Sequence, residues 1–166
     1  LCTLPMCTLS LDRAHAEEII SCDAAPQFGF GVVTLPCSQE RSAAIGRLSE
    51  KRGDFVKLHR KPGDPAEKPR IGNPFVLDVA QSRFKQIISK RASWTAHSGV
   101  LEAHGLLLAV RYVAKTAGKH HTRVPILVDA KAVLGAATRG RSSAPALRGI
   151  LRALAAEVVA SNLLLR

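Results

Sequence analysis

The run Ile126-Leu-Val-Asp-Ala-Lys-Ala-Val-Leu-Gly-Ala136 constrains the fold more than any other stretch. A short apolar segment stops at Asp129 and passes at once into residues with helical spacing. Such a segment suits a strand covered on both faces, and a carboxylate at its C-terminal end lies where α/β sheets commonly place chemistry. Two further acids have similar settings: Asp23 closes the apolar segment 18–23, and Glu102 opens the apolar run 102–110. The rest of the chain reads as a frame that brings Asp23, Glu102 and Asp129 together.

In chain order, residues 1–16 read as a leader or linker, with a helical turn at 12–16, and the main domain spans 17–166. Strands are expected at 18–23 and 30–35, joined by a Pro26- and glycine-containing turn into an antiparallel hairpin. Residues 36–74 form a basic, proline-rich insert, with a short helix at 42–52 and mostly loop over 61–74, which holds four prolines. A third strand over 83–89 is expected beside the hairpin. Ser98 is a suitable cap for a helix over 98–117, with Glu102, Leu106, Ala109 and Val113 on one face. A strand over 123–128 follows, tolerating Pro125 near its start. Strand, helix and strand in that order suit a parallel crossover. A short helix over 131–138, a basic turn, a helix with Ser143 as its cap and Pro145 in its first turn, and the beginning of one more strand over 162–165 complete the chain. The expected class is therefore α/β, a mixed sheet with flanking helices in the order β-β-β-α-β-α-α-β. The final segment stops in mid-pattern and reads as a C-terminally truncated fragment of a longer chain.

Charge narrows the partners. The net charge is +11 over 166 residues, and it is not evenly spread. Residues 51–91 carry 11 basic and 4 acidic side chains, and residues 111–152 carry 9 and 1, whereas residues 1–50 carry 3 and 6. Two basic blocks favour a polyanion bound through its phosphates, although charge alone does not separate such a binder from a basic solvated surface. No apolar run reaches 18 residues, so no transmembrane span is expected, and a signal peptide is not expected either. Cys2, Cys7, Cys22 and Cys37 contain no Cys-x-x-Cys pair, so thiols in a reducing compartment, cytoplasm or nucleus, are a better reading than a zinc site.

Clustered carboxylates repel one another and raise their own pKa values unless a cation lies between them. Oxygen-only ligands suit Mg²⁺ or Mn²⁺, and two such ions about 4 Å apart activate a water and stabilise the leaving oxygen of a phosphodiester. Each acid also has an ordinary structural role open to it: Asp129 as a helix cap, Asp23 in a turn, Glu102 favouring a helix dipole.

Three motifs carry a family resemblance. The segment Ile20-Ser-Cys-Asp-Ala-Ala-Pro-Gln-Phe-Gly-Phe-Gly-Val-Val33 resembles the opening motif of ribonuclease H domains, a strand ending in Asp followed by a small-residue turn. Ser98-Gly-Val-Leu-Glu-Ala-His-Gly-Leu-Leu-Leu-Ala-Val-Arg111 resembles their glutamate helix. Val124-Pro-Ile-Leu-Val-Asp-Ala-Lys131 resembles their third motif, with Asp129-Ala130-Lys131 where Asp-Ser-Lys is usual. The stretch Thr138-Arg-Gly-Arg-Ser-Ser143 and the helix after it are similar to the version attached to reverse transcriptases of tyrosine-recombinase retrotransposons. The resemblance covers roughly residues 17–166. It implies cleavage of the RNA strand of an RNA–DNA hybrid with two Mg²⁺ (or Mn²⁺) ions held by Asp23, Glu102 and Asp129, within a retroelement polyprotein that also carries a reverse transcriptase domain. The family has a fourth acid after a further strand, and the chain ends at Arg166, before that position. The alternative is a catalytically inactive ribonuclease H-like fold that binds nucleic acid or serves as a structural subunit of a larger assembly.

Lys131, Arg139, Arg141 and Arg148 are the expected nucleic-acid contacts. His97 and His104 flank Glu102 and are better explained without a catalytic role. Trp94 is open to two readings, a base-stacking ring or part of the core.

Overall fold

The computed structural model describes residues 12–51, 53–58 and 71–166. Its centre is a four-stranded sheet in the order β5-β2-β1-β7. The hairpin of β1 (Glu18–Ala25) and β2 (Gly29–Pro36) is antiparallel, as expected; β1 starts where expected and runs two residues longer, and β2 is one residue longer at each end. Gly29 sits at φ 95° where the chain turns into β2, and a Cβ there would come within 2.2 Å of the Lys90 carbonyl oxygen. Only glycine fits that turn and that contact together. β5 (Lys85–Lys90) adds antiparallel to β2, beside the hairpin as expected.

Pro125 divides the expected strand over 123–128 into β6 (Arg123–Val124) and β7 (Ile126–Val128). Lacking an N–H, Pro125 cannot donate to a ladder, and the chain changes partners there. β7 runs parallel to β1, whereas β6 runs parallel to β8 (Leu164–Leu165). The Ile20 N–H donates to the Pro125 carbonyl and the Ile126 N–H to that of Arg166, which ties the small pair to the main sheet.

Both sheet faces are covered. Alternation along β1 sends Ile20 and Cys22 into one core and Ile19 into another. The first core lies under α2 (Ser98–Ala114) and α4 (Pro145–Ala160), with Val133 and Ala136 of α3 (Lys131–Arg139) at its margin. Leu101, Leu106 and Leu107 of α2 are buried, each burial being worth about 1.5–3 kcal/mol. On α4, Ile150, Leu151 and Leu154 face inward while Arg148 and Arg152 are exposed, in agreement with the amphipathic spacing.

The second core gives the region of the insert more regular structure than the one short helix expected there. α1 (Gln39–Gly46) contributes Ile45 to the far face of the sheet. β3 (Phe55–Leu58) and β4 (Pro74–Leu77) pair in parallel and contribute Val56, Phe75 and Leu77. Most of the proline-rich stretch lies outside the described residues. The α1 helix starts and stops earlier than the sequence suggests, because Ser38 caps it and a 3₁₀ turn over Arg47–Glu50 takes up its end.

Three further expectations change. Residues 12–16 are extended rather than a helical turn: the Arg123 N–H bonds the Ala14 carbonyl, the Ala16 N–H bonds that of Arg123, and Arg13 donates to Asn162. Arg13 and Ala16 are buried, so the packed unit includes them. The α2 cap is His97, not Ser98, since the imidazole Nδ1 accepts the Gly99 N–H at 3.2 Å, and the helix ends at Ala114, ahead of a 3₁₀ turn over Ala117–Lys119. The α4 cap is Ala144, not Ser143, with Pro145 in the first turn as expected. The resulting fold is α/β, with a mixed sheet and four α-helices among the described residues.

Candidate active site

Register brings two acids together. Parallel pairing sets Cys22 beside Val128, so the next residue on each strand, Asp23 and Asp129, emerges side by side at the C-terminal edge of β7. Adjacent strands are about 4.8 Å apart. Both acids are exposed. The Asp23 carboxylate accepts the Ala24 N–H at 2.8 Å, which orients one of its oxygens.

The third acid comes from α2, which lies against this part of β1. A Cβ on Gly105 would sit 3.4 Å from the Asp23 carbonyl oxygen, so a residue without a side chain lets the helix approach. Glu102 precedes Gly105 by about one turn and is half-buried, and its Oε2 is buried with no hydrogen-bond partner. Burial raises the Glu102 carboxyl above its ordinary value, and the charges of Asp23 and then Asp129 raise it further, against a smaller opposing effect of His97. The Cys22 thiol is pushed up to about 12 by burial, then by Asp23 and Glu102. The charges of Asp23 and Asp129 thus both reach Glu102.

An all-oxygen donor set, mutual repulsion and an orphaned buried carboxylate oxygen fit a hard divalent cation. Among the described residues no three Asp, Glu, His or Cys side chains already close around one point. Cys22 and Cys37 are not disulfide-bonded, and Cys2 and Cys7 lie outside the described residues.

The basic residues fall into two groups. Lys131 opens α3, two residues after Asp129, and is exposed. Arg139 closes the same helix about 12 Å further along its axis. Arg141 follows in the turn and Arg148 lies on the outer side of α4, both exposed. Lys131 is therefore near the acids, while Arg139, Arg141 and Arg148 continue a basic surface away from them.

Searches against protein-family models, curated proteins and solved structures find no match. The site's chemistry therefore rests on its own geometry. Two features of that geometry are not legible in the sequence. Phe30, Trp94 and His104 form an aromatic cluster, with ring centroids 5.6 Å apart for Phe30 and Trp94 and 5.3 Å for Trp94 and His104. They come from three elements and share no spacing that would signal it. His97 lies close enough to affect Glu102, a consequence of its capping position.

No helix among the described residues is long and apolar enough to cross a membrane.

Proposed function

We propose that the chain is a metal-dependent endonuclease acting on the RNA strand of RNA–DNA hybrids, of the ribonuclease H type, in a retroelement polyprotein with a reverse transcriptase. The observation that carries this reading is the emergence of Asp23 and Asp129 from adjacent parallel strands, with Glu102 in the same field. The strand order, two antiparallel pairings and then a parallel one, supports it. So does the basic surface that begins at Lys131.

Asp23, Glu102 and Asp129 would hold Mg²⁺ or Mn²⁺, which when bound supplies an activated water and neutralises the leaving oxygen. The chain's own residues do the positioning. The β1–β7 ladder sets the spacing of the two aspartates, and the close approach at Gly105 brings the start of α2, with Glu102, to this part of β1. Lys131, Arg139, Arg141 and Arg148 hold the phosphate backbone and set its direction across the acids. A second reading rests on the basic block over residues 111–152, which carries 9 basic side chains and 1 acid: a ribonuclease H-like fold that binds nucleic acid without cutting it.

Cleavage of a labelled RNA–DNA hybrid in Mg²⁺ and in Mn²⁺ separates the two. The nuclease reading expects cutting by the unmutated chain and a loss of at least about 100-fold in Asp129→Asn with an unchanged circular dichroism spectrum. Tight, salt-sensitive binding with no cutting in either metal would replace it with the binding module.

A further inference from the structure

The aromatic cluster lies to one side of the acids. Ala24, the residue after Asp23, pairs with Phe30 on β2, and Phe30 pairs with Lys90 on β5. The order across the strand ends is therefore Asp129, Asp23, then Phe30, then Lys90. On α2, Leu101 and Leu108 pack with Phe30 and Ala24 in a small core of their own. His104 lies between those two leucines by helical spacing, which turns it toward Phe30, whereas Glu102 shares a face with Leu106 and Ala109. Trp94, on the connection between β5 and α2, closes the cluster.

The rings differ in exposure. Phe30 is 4% exposed and acts as a floor, whereas Trp94 is 44% exposed. Trp94 meets both rings at an angle, 42° to Phe30 and 70° to His104, so the two rings position it while much of its own surface stays open to solvent. Two exposed cations lie just before it in the chain, Lys90 at the end of β5 and Arg91 next to it. Gly29 presses against the backbone of Lys90, Arg91 and Ala92, which fixes where the connection to Trp94 begins. A fixed aromatic face beside phosphate-binding cations is the combination that single-stranded nucleic acid uses, since every base presents a π-face and every nucleotide a charge. A base inside a duplex has both faces covered by its neighbours and a terminal pair has one open, whereas an unpaired nucleotide is free to turn its face to the ring and its phosphates to the cations.

Resting on the nuclease reading of the adjoining acids, we propose that Trp94, supported by Phe30 and His104, stacks an unpaired nucleotide of the substrate, with Lys90 and Arg91 holding the adjoining phosphates. The site thereby favours hybrids that carry a single-stranded extension over blunt ones.

Trp94 is the sole tryptophan of the chain, so its fluorescence reports on this surface alone. The test titrates the full 166-residue chain, in EDTA to prevent cutting, with a blunt RNA–DNA hybrid and with the same hybrid carrying a few unpaired nucleotides at either end. The extended hybrid is expected to quench Trp94 and to bind more tightly than the blunt one. Trp94→Ala weakens binding of the extended hybrid about 5- to 150-fold, Trp94→Phe retains most of the affinity, and neither changes the blunt hybrid. Binding of the extended hybrid without a quench, or with equal affinity in Trp94→Ala, overturns the proposal. The quench is read in the unmutated chain, so poor folding of Trp94→Ala does not remove the test. Cleavage in Mg²⁺ without a quench overturns the stacking surface and leaves the nuclease. A quench without cleavage does the reverse.

Discussion

At the scale of single residues, two charged groups define opposite ends of β1. Glu18 begins the strand, is 9% exposed, accepts the Thr34 hydroxyl at 2.7 Å and pairs with the Lys119 ammonium at 2.5 Å. Lys119 also donates to the Tyr112 hydroxyl at 3.0 Å. Burial alone would lower the Lys119 pKa, but its bonds to Glu18 and Tyr112 and the Glu18 charge outweigh burial and raise it. A raised ammonium stabilises the fold fully below its unfolded value of about 10.5, and that stability is lost as pH climbs through the higher folded value. Lys119→Met strands a buried carboxylate and is expected to cost about 1–3 kcal/mol in urea unfolding at pH 7, discounted because Lys119 is partly exposed. The gap between the two proteins should narrow above pH 10.5. A constant gap would mean that the cost is lost packing and not charge.

Glu102, toward the other end, has the opposite sign. Its carboxyl is raised, so the fold is disfavoured by ionising it, and stability falls as pH rises from the ordinary glutamate value through the folded one. In metal-free buffer Glu102→Gln should melt at a higher temperature than the unmutated chain at pH 7, with the difference shrinking toward pH 4. Adding Mg²⁺ should stabilise the unmutated chain more than the variant, because a cation takes up the repulsion that Gln has already removed. Equal Mg²⁺ shifts in differential scanning fluorimetry would remove Glu102 from the ligand set.

At the scale of elements, the position of α2 on β1 determines whether Glu102 meets Asp23. Gly105 is a close approach, where a methyl group would make ordinary van der Waals contact with the Asp23 carbonyl oxygen at 3.4 Å. Gly105→Ala should hold stability within about 1 kcal/mol, since better helix propensity offsets slight crowding. Gly105→Leu should push the helix off the strand and lose both stability, by about 1–3 kcal/mol, and hybrid cleavage. Loss of cleavage in Gly105→Ala as well would mean that the acids tolerate less movement than this contact implies. The elements at the site were largely legible: a run of apolar β-branched residues ending in Asp129, and the hairpin ending in Asp23, follow from local pattern. The change of partner at Pro125 was not, because a missing N–H shows that a ladder is interrupted but not which strand takes over. The second core was hidden too. Ile45 and Leu77 lie on either side of a proline-rich stretch, and nothing periodic links them to Ile19 and Leu35. The cap of α2 was misplaced by one residue because His97 accepts a backbone N–H with its ring nitrogen, while serine is the residue that capping statistics favour.

At the scale of the whole molecule, the charges determine what can approach the acids. Residues 111–152 carry 9 of the 24 basic side chains and a single acid, Asp129, itself part of the site. Lys131, Arg139, Arg141 and Arg148 are exposed and run outward from that acid along α3 and onto α4. Each one in contact with a phosphate releases condensed counterions on binding, so each contributes about 0.9 to the slope of log affinity against log salt on a duplex. Replacing one of them with Gln should flatten the slope by about 1 in fluorescence anisotropy with a blunt RNA–DNA hybrid in EDTA, and replacing all four by about 3–4. The stacking surface adds a term that salt does not screen, so Trp94→Ala should lower affinity for an extended hybrid while leaving the slope nearly unchanged. If the four-fold variant keeps the slope of the unmutated chain, the phosphates are held elsewhere, and the basic block at residues 51–91 becomes the surface to mutate next.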